Sequence, residues 1–257
     1  MSPRTVDWLP EPPHADAPSN TGLRERKKRL LRQQLSDTAT EMFVERGFDN
    51  VRITEIAEAC GVSEKTVYNY YPTKESLILD RWQSTPTALL RGLADPAVTP
   101  IEAALRVLDS ELTSWTSWFA RHPDPSEASA RVRRFADLIQ ATPSLRAYER
   151  DMTDRLVAQA ARVLAARVGM DPAAPEPQMA AGALLELWRI QGRSLRRHLD
   201  ATSTSAQIYT LVSSDVQRAA RLLTHGLASF DTLKRRPPTL RRSVPTAPHI
   251  PKRSSRT

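Results

Sequence analysis

The sequence predicts an all-α protein with about nine helices. Three observations support this fold class: apolar residues recur at helical spacing over most of the chain, glycine is scarce at 8 of 257 residues, and no run alternates apolar and polar residues as a half-buried strand does. Two short helical segments separate the first helix from a series of long helices. Because these long helices are joined by short breaks, they predict an antiparallel bundle over residues 73–232, which follows a small N-terminal domain over residues 22–72.

The two ends of the chain lack this helical spacing. Five prolines fall within residues 1–18 and five within residues 234–257, and neither end holds enough apolar residues to offset the entropy lost on ordering. We predict disorder for residues 1–21 and 233–257. The C-terminal tail carries eight Lys or Arg residues and no acidic residue, so it accounts for the whole net charge of +8. The tail is either a solubilising extension or a nonspecific DNA tether.

Several classes of protein find no support in the sequence. Cys60 is the single cysteine, and the first 25 residues contain no apolar leader, which predicts a cytoplasmic protein. The longest apolar stretch, around Gly182, is about half of the roughly 20 residues that a membrane span requires. No metal-ligand spacing, phosphate-binding glycine loop or nucleophile motif occurs. We therefore predict no cofactor, no metal and no enzymatic activity.

The first predicted helix spans about six turns and ends at Gly47. Its apolar stripe consists of Leu30, Leu31, Leu35, Ala39, Met42 and Phe43. Its N-terminal segment, residues 24–32, holds six basic residues and one Glu. This charge indicates either a solvated helix face or an arm that contacts phosphates.

Two short helices are predicted next, over Thr54–Cys60 and Ser63–Tyr71, and a further helix begins at Thr73 and runs toward Leu93. The residues between the short helices have the pattern of a tight helix-turn-helix corner. Gly61 can adopt a positive φ, and Ser63 can cap the second short helix.

The second short helix is predicted to have a buried face and a polar face. Val67 and Tyr71, four residues apart, would point inward. The other face would offer hydrogen-bonding side chains on a helix that fits a DNA major groove about 12 Å wide. These side chains are Lys65, Thr66, Tyr68, Asn69 and Tyr70.

The stretch GFDNVRITEIAEACGVSEKTVYNYYPTKESL resembles the DNA-binding domain of the tetracycline-repressor (TetR) family, and the likeness extends from Arg24 to about Leu79. The resemblance implies a three-helix reading domain, a linking helix, a larger helical ligand-binding domain, and a homodimer that releases DNA when a small molecule binds. Two positions depart from the family pattern. Arg52 stands where a capping threonine is common, although its guanidinium suits a phosphate, and Cys60 stands where a small alanine is common.

The resemblance also implies roles for individual residues. By position, Lys65, Thr66, Tyr68 and Asn69 are similar to residues that touch base edges or nearby phosphates, whereas Tyr70 and Lys74 are similar to residues that hold phosphate. The complete predicted DNA-binding set is Arg26, Lys27, Lys28, Arg52, Thr54, Ser63, Lys65, Thr66, Tyr68, Asn69, Tyr70 and Lys74.

The long helices are predicted to bind an effector. Further helices span residues 101–119, 127–140, 144–168, 176–199 and 205–230. Their large side chains either line a pocket for an apolar or aromatic effector or simply fill the core. Arg155, Asp151 and Gln191 are candidate polar partners. The predicted effector-binding set is Trp115, Trp118, Phe119, Tyr148, Met152, Trp188 and Gln191.

The last two helices are predicted to form a homodimer interface. Small residues around Gly182 permit close helix approach, and the final helix has one apolar stripe. The alternative interpretation is that these stripes close the core of a single chain. The predicted dimer residues are Ala181, Leu184, Ile208, Val212, Val216, Leu223 and Leu227.

The function predicted from the resemblance is a sequence-specific transcriptional regulator, a ligand-responsive repressor that binds a palindromic operator as a dimer. Two other classes stay open: an architectural protein that binds DNA without sequence choice, and a helical enzyme with an accessory DNA-binding domain. The sequence identifies neither the operator nor the effector.

Overall fold

The computed structural model describes residues 22–80, 84–199 and 203–228. Within these residues the chain forms ten α-helices and no β-strand, which confirms the all-α fold class. The two ends for which we predict disorder, residues 1–21 and 233–257, lie outside the described residues. No helix among the described residues is long and apolar enough to cross a bilayer.

The N-terminal part contains four helices around one apolar core. Its central side chains, which are at most 2% exposed, are Phe43, Ile56, Val67, Tyr71 and Leu77. The hydroxyl of Ser36 donates to the carbonyl of Leu77 at 2.7 Å and so fastens the fourth helix to the first. The helices are α1 (Leu23–Arg46), α2 (Ile53–Ala59), α3 (Glu64–Tyr70) and α4 (Ser76–Leu79).

The second part contains six helices, four of which begin with proline, a residue whose missing N–H costs nothing in the first turn. These helices are α5 (Ser84–Ala94), α6 (Pro100–Arg121), α7 (Pro125–Ala141), α8 (Pro143–Val168), α9 (Pro175–His198) and α10 (Ser205–Ala228). Helix α6 starts with a reciprocal cap, in which Thr99 Oγ1 accepts from the backbone N–H of Glu102 at 3.3 Å and the Glu102 carboxylate accepts from the N–H of Thr99 at 3.0 Å.

The prediction of one helix from Thr73 toward Leu93 needs correction. Helix α4 ends at Leu79, and a separate helix, α5, begins at Ser84. Pro86 lies within the first turn of α5. Because proline is tolerated in a first turn but disrupts a helix interior, it favours a new helix start over a continuous helix.

Within the described residues, the N-terminal part shares an apolar cluster with the long helices and also meets α7 and α8. Helix α1 faces α7 across an open depression of about 330 Å³, lined by Glu41, Val44, Glu45, Glu127, Arg131 and Arg134. The hydroxyl of Tyr148 on α8 donates to Asp80 Oδ1 at 3.0 Å, immediately after α4. Burial, together with the adjacent Asp80 carboxylate, raises the pKa of Tyr148 to about 12. The tyrosine therefore stays protonated and can act as the donor at neutral pH.

Candidate nucleic-acid interface

The corner between α2 and α3 is a tight helix-turn-helix. Gly61 adopts φ +66°, in the left-handed region that glycine reaches without steric cost, as the sequence predicts. The backbone N–H of Val62 donates to the carbonyl of Ala57 at 3.0 Å and closes the turn. Cys60 is half-buried in this corner, and burial raises the pKa of its thiol. Its environment is therefore that of a small apolar residue with little thiolate at neutral pH.

Helix α3 is capped at its start and anchored from behind. Ser63 Oγ accepts from the backbone N–H of Thr66 at 3.1 Å, which is the predicted N-cap. The two inward residues are buried as predicted, Val67 at 0% and Tyr71 at 2% exposure. The Tyr71 hydroxyl donates to the carbonyl of Arg32 on α1 at 2.9 Å, and an Arg32 guanidinium nitrogen donates to the carbonyl of Tyr70 at 3.1 Å. Helix α1 thus holds both the side chain and the backbone at the end of α3.

The opposite face of α3 is open to solvent. Lys65 and Asn69 are exposed, and Tyr68 is 46% exposed although it is a large aromatic side chain. Thr66 and Tyr70 are partly buried. The Thr66 hydroxyl lies 2.8 Å from that of Ser63, so this pair is partly occupied in capping the helix. The exposed hydrogen-bonding side chains of this face therefore lie at positions 65, 68 and 69.

The basic segment of α1 is exposed along its length. Residues 22–30 are all solvent-exposed, which includes Arg26, Lys27 and Lys28 of the predicted DNA-binding set. The same segment continues into the helix that holds α3 through Arg32. An exposed cationic arm in continuity with the α3 scaffold suits contact with phosphates that flank a groove.

The start of α2 shows what the departure at Arg52 does. An arginine side chain carries no acceptor, so Arg52 cannot cap the free N–H groups of the helix, and it is 82% exposed. Glu55 supplies the other half of a capping box, since its carboxylate accepts from the backbone N–H of Arg52 at 2.7 Å, but the first-turn N–H groups of α2 gain no side-chain acceptor from Arg52. That bond, followed by the 2.6 Å bond from the Arg46 guanidinium, lowers the pKa of Glu55 below its usual value. Thr54, in the first turn, is exposed.

Lys74 has a structural role that the sequence does not reveal. Its ammonium donates to the carbonyl of Phe48 at 2.5 Å and lies 4.5 Å from the centre of the Phe48 ring and 5.5 Å from that of Phe43. Partial burial lowers the pKa of Lys74, opposed by nearby carboxylates. The side chain fastens the loop after α1 to the segment between α3 and α4, so the role in holding phosphate that the resemblance implies stays a prediction.

The predicted effector residues separate into three groups. Trp115, Trp118 and Phe119 form an aromatic cluster on α6 with ring centres 5.2 to 6.5 Å apart. Tyr148 binds Asp80 between the two parts of the chain, and Met152 lies half-buried one turn further along α8. Two polar candidates need correction. Asp151 and Arg155 form an ion pair on the surface, with side chains 64% and 58% exposed, and do not enter the core.

Trp188 and Gln191 form a third group around a residue that the sequence reasoning missed. Glu111 on α6 is only 8% exposed, and its Oε2 accepts from Trp188 Nε1 at 2.8 Å and from Gln191 Nε2 at 3.0 Å. The hydroxyl of Thr85 on α5 donates to Oε1 at 3.3 Å. Burial raises the pKa of Glu111 to about 7, and the three hydrogen bonds limit the rise. The sequence does contain a pattern that predicts burial of Glu111. This residue is three positions after Leu108 and four before Trp115, so it falls within the predicted apolar stripe of the helix.

Five of the predicted dimer residues lie inside the core of the single chain. Each is at most 4% exposed, so none of these side chains is available to a second subunit: Ala181, Leu184, Ile208, Val212 and Val216. Their burial matches the alternative interpretation that the stripes close the core of one chain. Leu223 is partly buried, and the side chain of Leu227 lies outside the described residues. Among the described side chains of α9 and α10, the large apolar ones that face solvent are Met179, Leu211 and Leu222, at 73%, 44% and 84% exposure.

Two family models match the chain. The model described as bacterial regulatory proteins, tetR family, matches residues 35–80, which include α2, α3 and α4. The model described as the MftR C-terminal domain matches residues 105–190, from α6 into α9. The matches therefore cover both the helix-turn-helix part and much of the bundle.

Two proteins similar in sequence are named as transcriptional regulators. The HTH-type transcriptional regulator TcmR of Streptomyces glaucescens is 29% identical over 162 residues, covering 62% of this chain and 70% of that protein. The putative mycofactocin biosynthesis transcriptional regulator MftR of Mycobacterium tuberculosis is 31% identical over 128 residues, covering 49% of this chain and 60% of that protein. A crystal structure of a TetR-family regulator from Streptomyces coelicolor has 22% identity and a TM-score of 0.42, covering 78% of this chain and 99% of that one.

The helix-turn-helix corner presents an exposed polar face on a helix anchored from behind, and both parts of the chain match models of regulator domains. The chain belongs to the TetR family of DNA-binding transcriptional regulators.

Proposed function

We propose that this chain is a ligand-responsive repressor that acts in the cytoplasm and binds a palindromic operator as a homodimer. The observation that carries the proposal is helix α3, whose outer face exposes Lys65, Tyr68 and Asn69 while Val67 and Tyr71 are buried behind them. Asparagine can bond bidentately to adenine, and lysine can donate to the acceptors of guanine. The face therefore offers groups that distinguish base pairs.

In the proposed complex, one set of residues contacts bases and another set contacts phosphates. The exposed residues of α3 would contact base edges, whereas Arg26, Lys27, Lys28 and Arg52 would contact phosphates on either side. Residues 22–72 would form the reading domain, and residues 73–232 the effector and dimer domain. In a two-fold dimer the two α3 helices would lie about 34–36 Å apart, one turn of duplex, which is why the operator would be palindromic.

The dimer contact in this proposal uses the exposed side of the last two helices. Leu211 and Leu222 are eleven residues apart, which places them on the same face of α10 about three turns from each other. Met179 is exposed on the adjacent helix α9. Large apolar side chains that are exposed on one helix face favour contact with a second apolar surface. A second copy of the chain would supply that surface under two-fold symmetry.

Release from DNA would follow from a small change in the bundle. The Tyr148 to Asp80 hydrogen bond and the α1 to α7 contact connect the long helices to the reading domain. An effector that favours a bundle geometry in which these contacts shift would misplace α3. A coupling free energy of roughly 1–3 kcal/mol would lower operator affinity about 5- to 150-fold, which is enough for a switch.

Selection of bound fragments from a random genomic library tests this function. The purified full-length chain should enrich fragments that share an inverted repeat, and fluorescence anisotropy should show at least about 10³-fold tighter binding to that repeat than to a scrambled duplex at the same salt concentration. Equal affinity for both duplexes would indicate an architectural DNA-binding protein and would contradict the proposal. Repression is then checked by placing the enriched sequence between a promoter and a reporter gene.

A further inference from the structure

A buried carboxylate lies at the meeting point of three helices of the bundle. Glu111 on α6 contacts Thr85 on α5 and both Trp188 and Gln191 on α9, at the distances given above. Two of these partners belong to the predicted effector-binding set. Each of the three partners is an uncharged donor, so within the described residues the carboxylate is held by hydrogen bonds and not by an ion pair.

The two oxygens of Glu111 are unequally satisfied. Among the described residues, Oε2 accepts two bonds, at 2.8 and 3.0 Å, whereas Oε1 accepts one bond of 3.3 Å from Thr85. An ionised carboxylate has about four acceptor sites, so Oε1 retains the capacity for a further and shorter bond. A buried carboxylate is stabilised most strongly by a charged donor, because charge-assisted bonds are about twice as strong as neutral ones. A cationic donor would therefore form its strongest additional hydrogen bond at Oε1.

The surroundings of Glu111 also suit a cation. Trp115 lies four residues after Glu111, on the same side of α6 one turn away, and Trp188 directs its ring edge at the carboxylate. Both tryptophans are only partly buried. The face of an indole ring attracts a cation, whereas a carboxylate repels an anion. An aromatic body can pack on apolar side chains such as Leu108, which is 4% exposed in the adjoining core.

We infer that the effector site of this regulator selects an organic cation, a protonated amine with an aromatic or apolar body, whose ammonium donates to Glu111 Oε1. The inference rests on the proposed function and specifies the chemistry of its effector. It narrows the class expected from the sequence, an apolar or aromatic compound, by adding a positive charge. When ionised, the same carboxylate repels acidic effectors.

Matched ligands test the charge directly. Benzylamine, 1-naphthylmethylamine and 9-anthracenylmethylamine each have an alcohol counterpart of nearly the same shape. Isothermal titration of the full chain at pH 8, where the ammonium groups are charged, should show that at least one amine binds about tenfold or more tightly than its alcohol. In Glu111→Gln this preference should vanish. In Glu149→Gln, which changes an exposed carboxylate on α8, it should persist.

A second measurement does not depend on the folding of a variant. In the wild-type chain the preference for amine over alcohol should disappear as the pH falls from 8 to 5, because Glu111 becomes protonated while the amines stay charged. Thr85, Trp188 and Gln191, the side chains that face Glu111 from α5 and α9, do not titrate in this range. Absence of any preference at pH 8, or a preference that survives in Glu111→Gln or at pH 5, overturns the inference.

The same protein preparation separates this inference from the proposed function. A chain that selects an inverted repeat but shows no preference for amines remains a regulator whose effector is not a cation. A chain that selects no repeat contradicts the proposed function, whatever its response to amines.

Discussion

Asn69 is an exposed residue on a rigid helix, which makes it a clean probe of base recognition. Its neighbours Val67 and Tyr71 hold the helix in place, so removal of the amide should leave the fold intact. We expect Asn69→Ala to reduce discrimination at one base pair by about 1–3 kcal/mol while the free energy of unfolding changes little. Anisotropy against operators with single substitutions measures this. Unchanged preference at every position would show that Asn69 does not read a base.

Lys74 differs from Asn69 because its ammonium makes contacts within the fold. Lys74→Ala removes the donor to the Phe48 carbonyl and the cation over two phenylalanine rings, so we expect a loss of about 1–2 kcal/mol in the free energy of unfolding. If Lys74 also holds phosphate, affinity for all sequences and the salt dependence of binding will fall together. Lys28→Ala, at an exposed position of the arm, is the matched control and should flatten the salt dependence without loss of stability.

Glu111 makes the stability of the bundle depend on pH. Its pKa is about 7 in the folded chain against 4.5 for the free side chain, so the folded state binds the proton more tightly. The resulting stabilisation is present at pH 4.5 and below and is lost as the pH rises through 7. The total loss in the free energy of unfolding is on the order of 3 kcal/mol. We expect Glu111→Gln to remove this dependence. Urea unfolding of both chains at pH 5 and pH 8 should show a gain for the variant at pH 8 that is absent at pH 5. A wild-type chain that is more stable at pH 8 than the variant would contradict this assignment.

Helix α2 begins without a side-chain cap, which gives a prediction at the scale of one element. Arg52→Thr would place a hydroxyl acceptor beside the free N–H groups, and the Glu55 bond to the backbone of residue 52 can remain. We expect the free energy of unfolding to rise by about 0.5–1 kcal/mol. DNA affinity should fall at low salt if the guanidinium contacts phosphate. Arg52→Ala, which removes the charge without adding an acceptor, separates the two effects, since it should lose affinity without gaining stability.

The elements that could be predicted from the sequence are those with a local cause. The helices of the bundle follow from apolar spacing, and the α2 to α3 corner follows from Gly61 and from Ser63, whose cap the structure confirms. The roles of Glu111 and Lys74 could not be predicted from local sequence. Each is a charged residue whose partners lie between 26 and 80 positions away in the chain. The apolar stripes of the last two helices have helical spacing, but spacing alone does not tell whether the same chain or a second copy buries them. In the structure, five of the predicted dimer residues are buried by their own chain.

At the scale of the whole molecule, the proposed dimer depends on leucines that a single chain leaves uncovered. Leu222→Glu places a charge at a side chain that is 84% exposed, so the monomer should fold normally while two-fold association weakens. Sedimentation velocity should show a shift toward monomer, and operator affinity should fall with it. Leu23→Glu is a control at similar exposure, 78%, on the far end of α1, and should leave association unchanged. A Leu222→Glu chain that sediments as the wild type does would show that the contact lies elsewhere.

Helix α1 runs from the cationic arm to the boundary with α7, with Arg24 near one end and Glu45 near the other. Its 24 residues make a rod of roughly 36 Å. A pivot of about 5° at the α7 end would swing the far tip by about 3 Å, which is the length of a hydrogen bond. If the cationic arm contacts phosphates as proposed, a shift at α7 too small to disturb the packing of the core would therefore be enough to break those contacts.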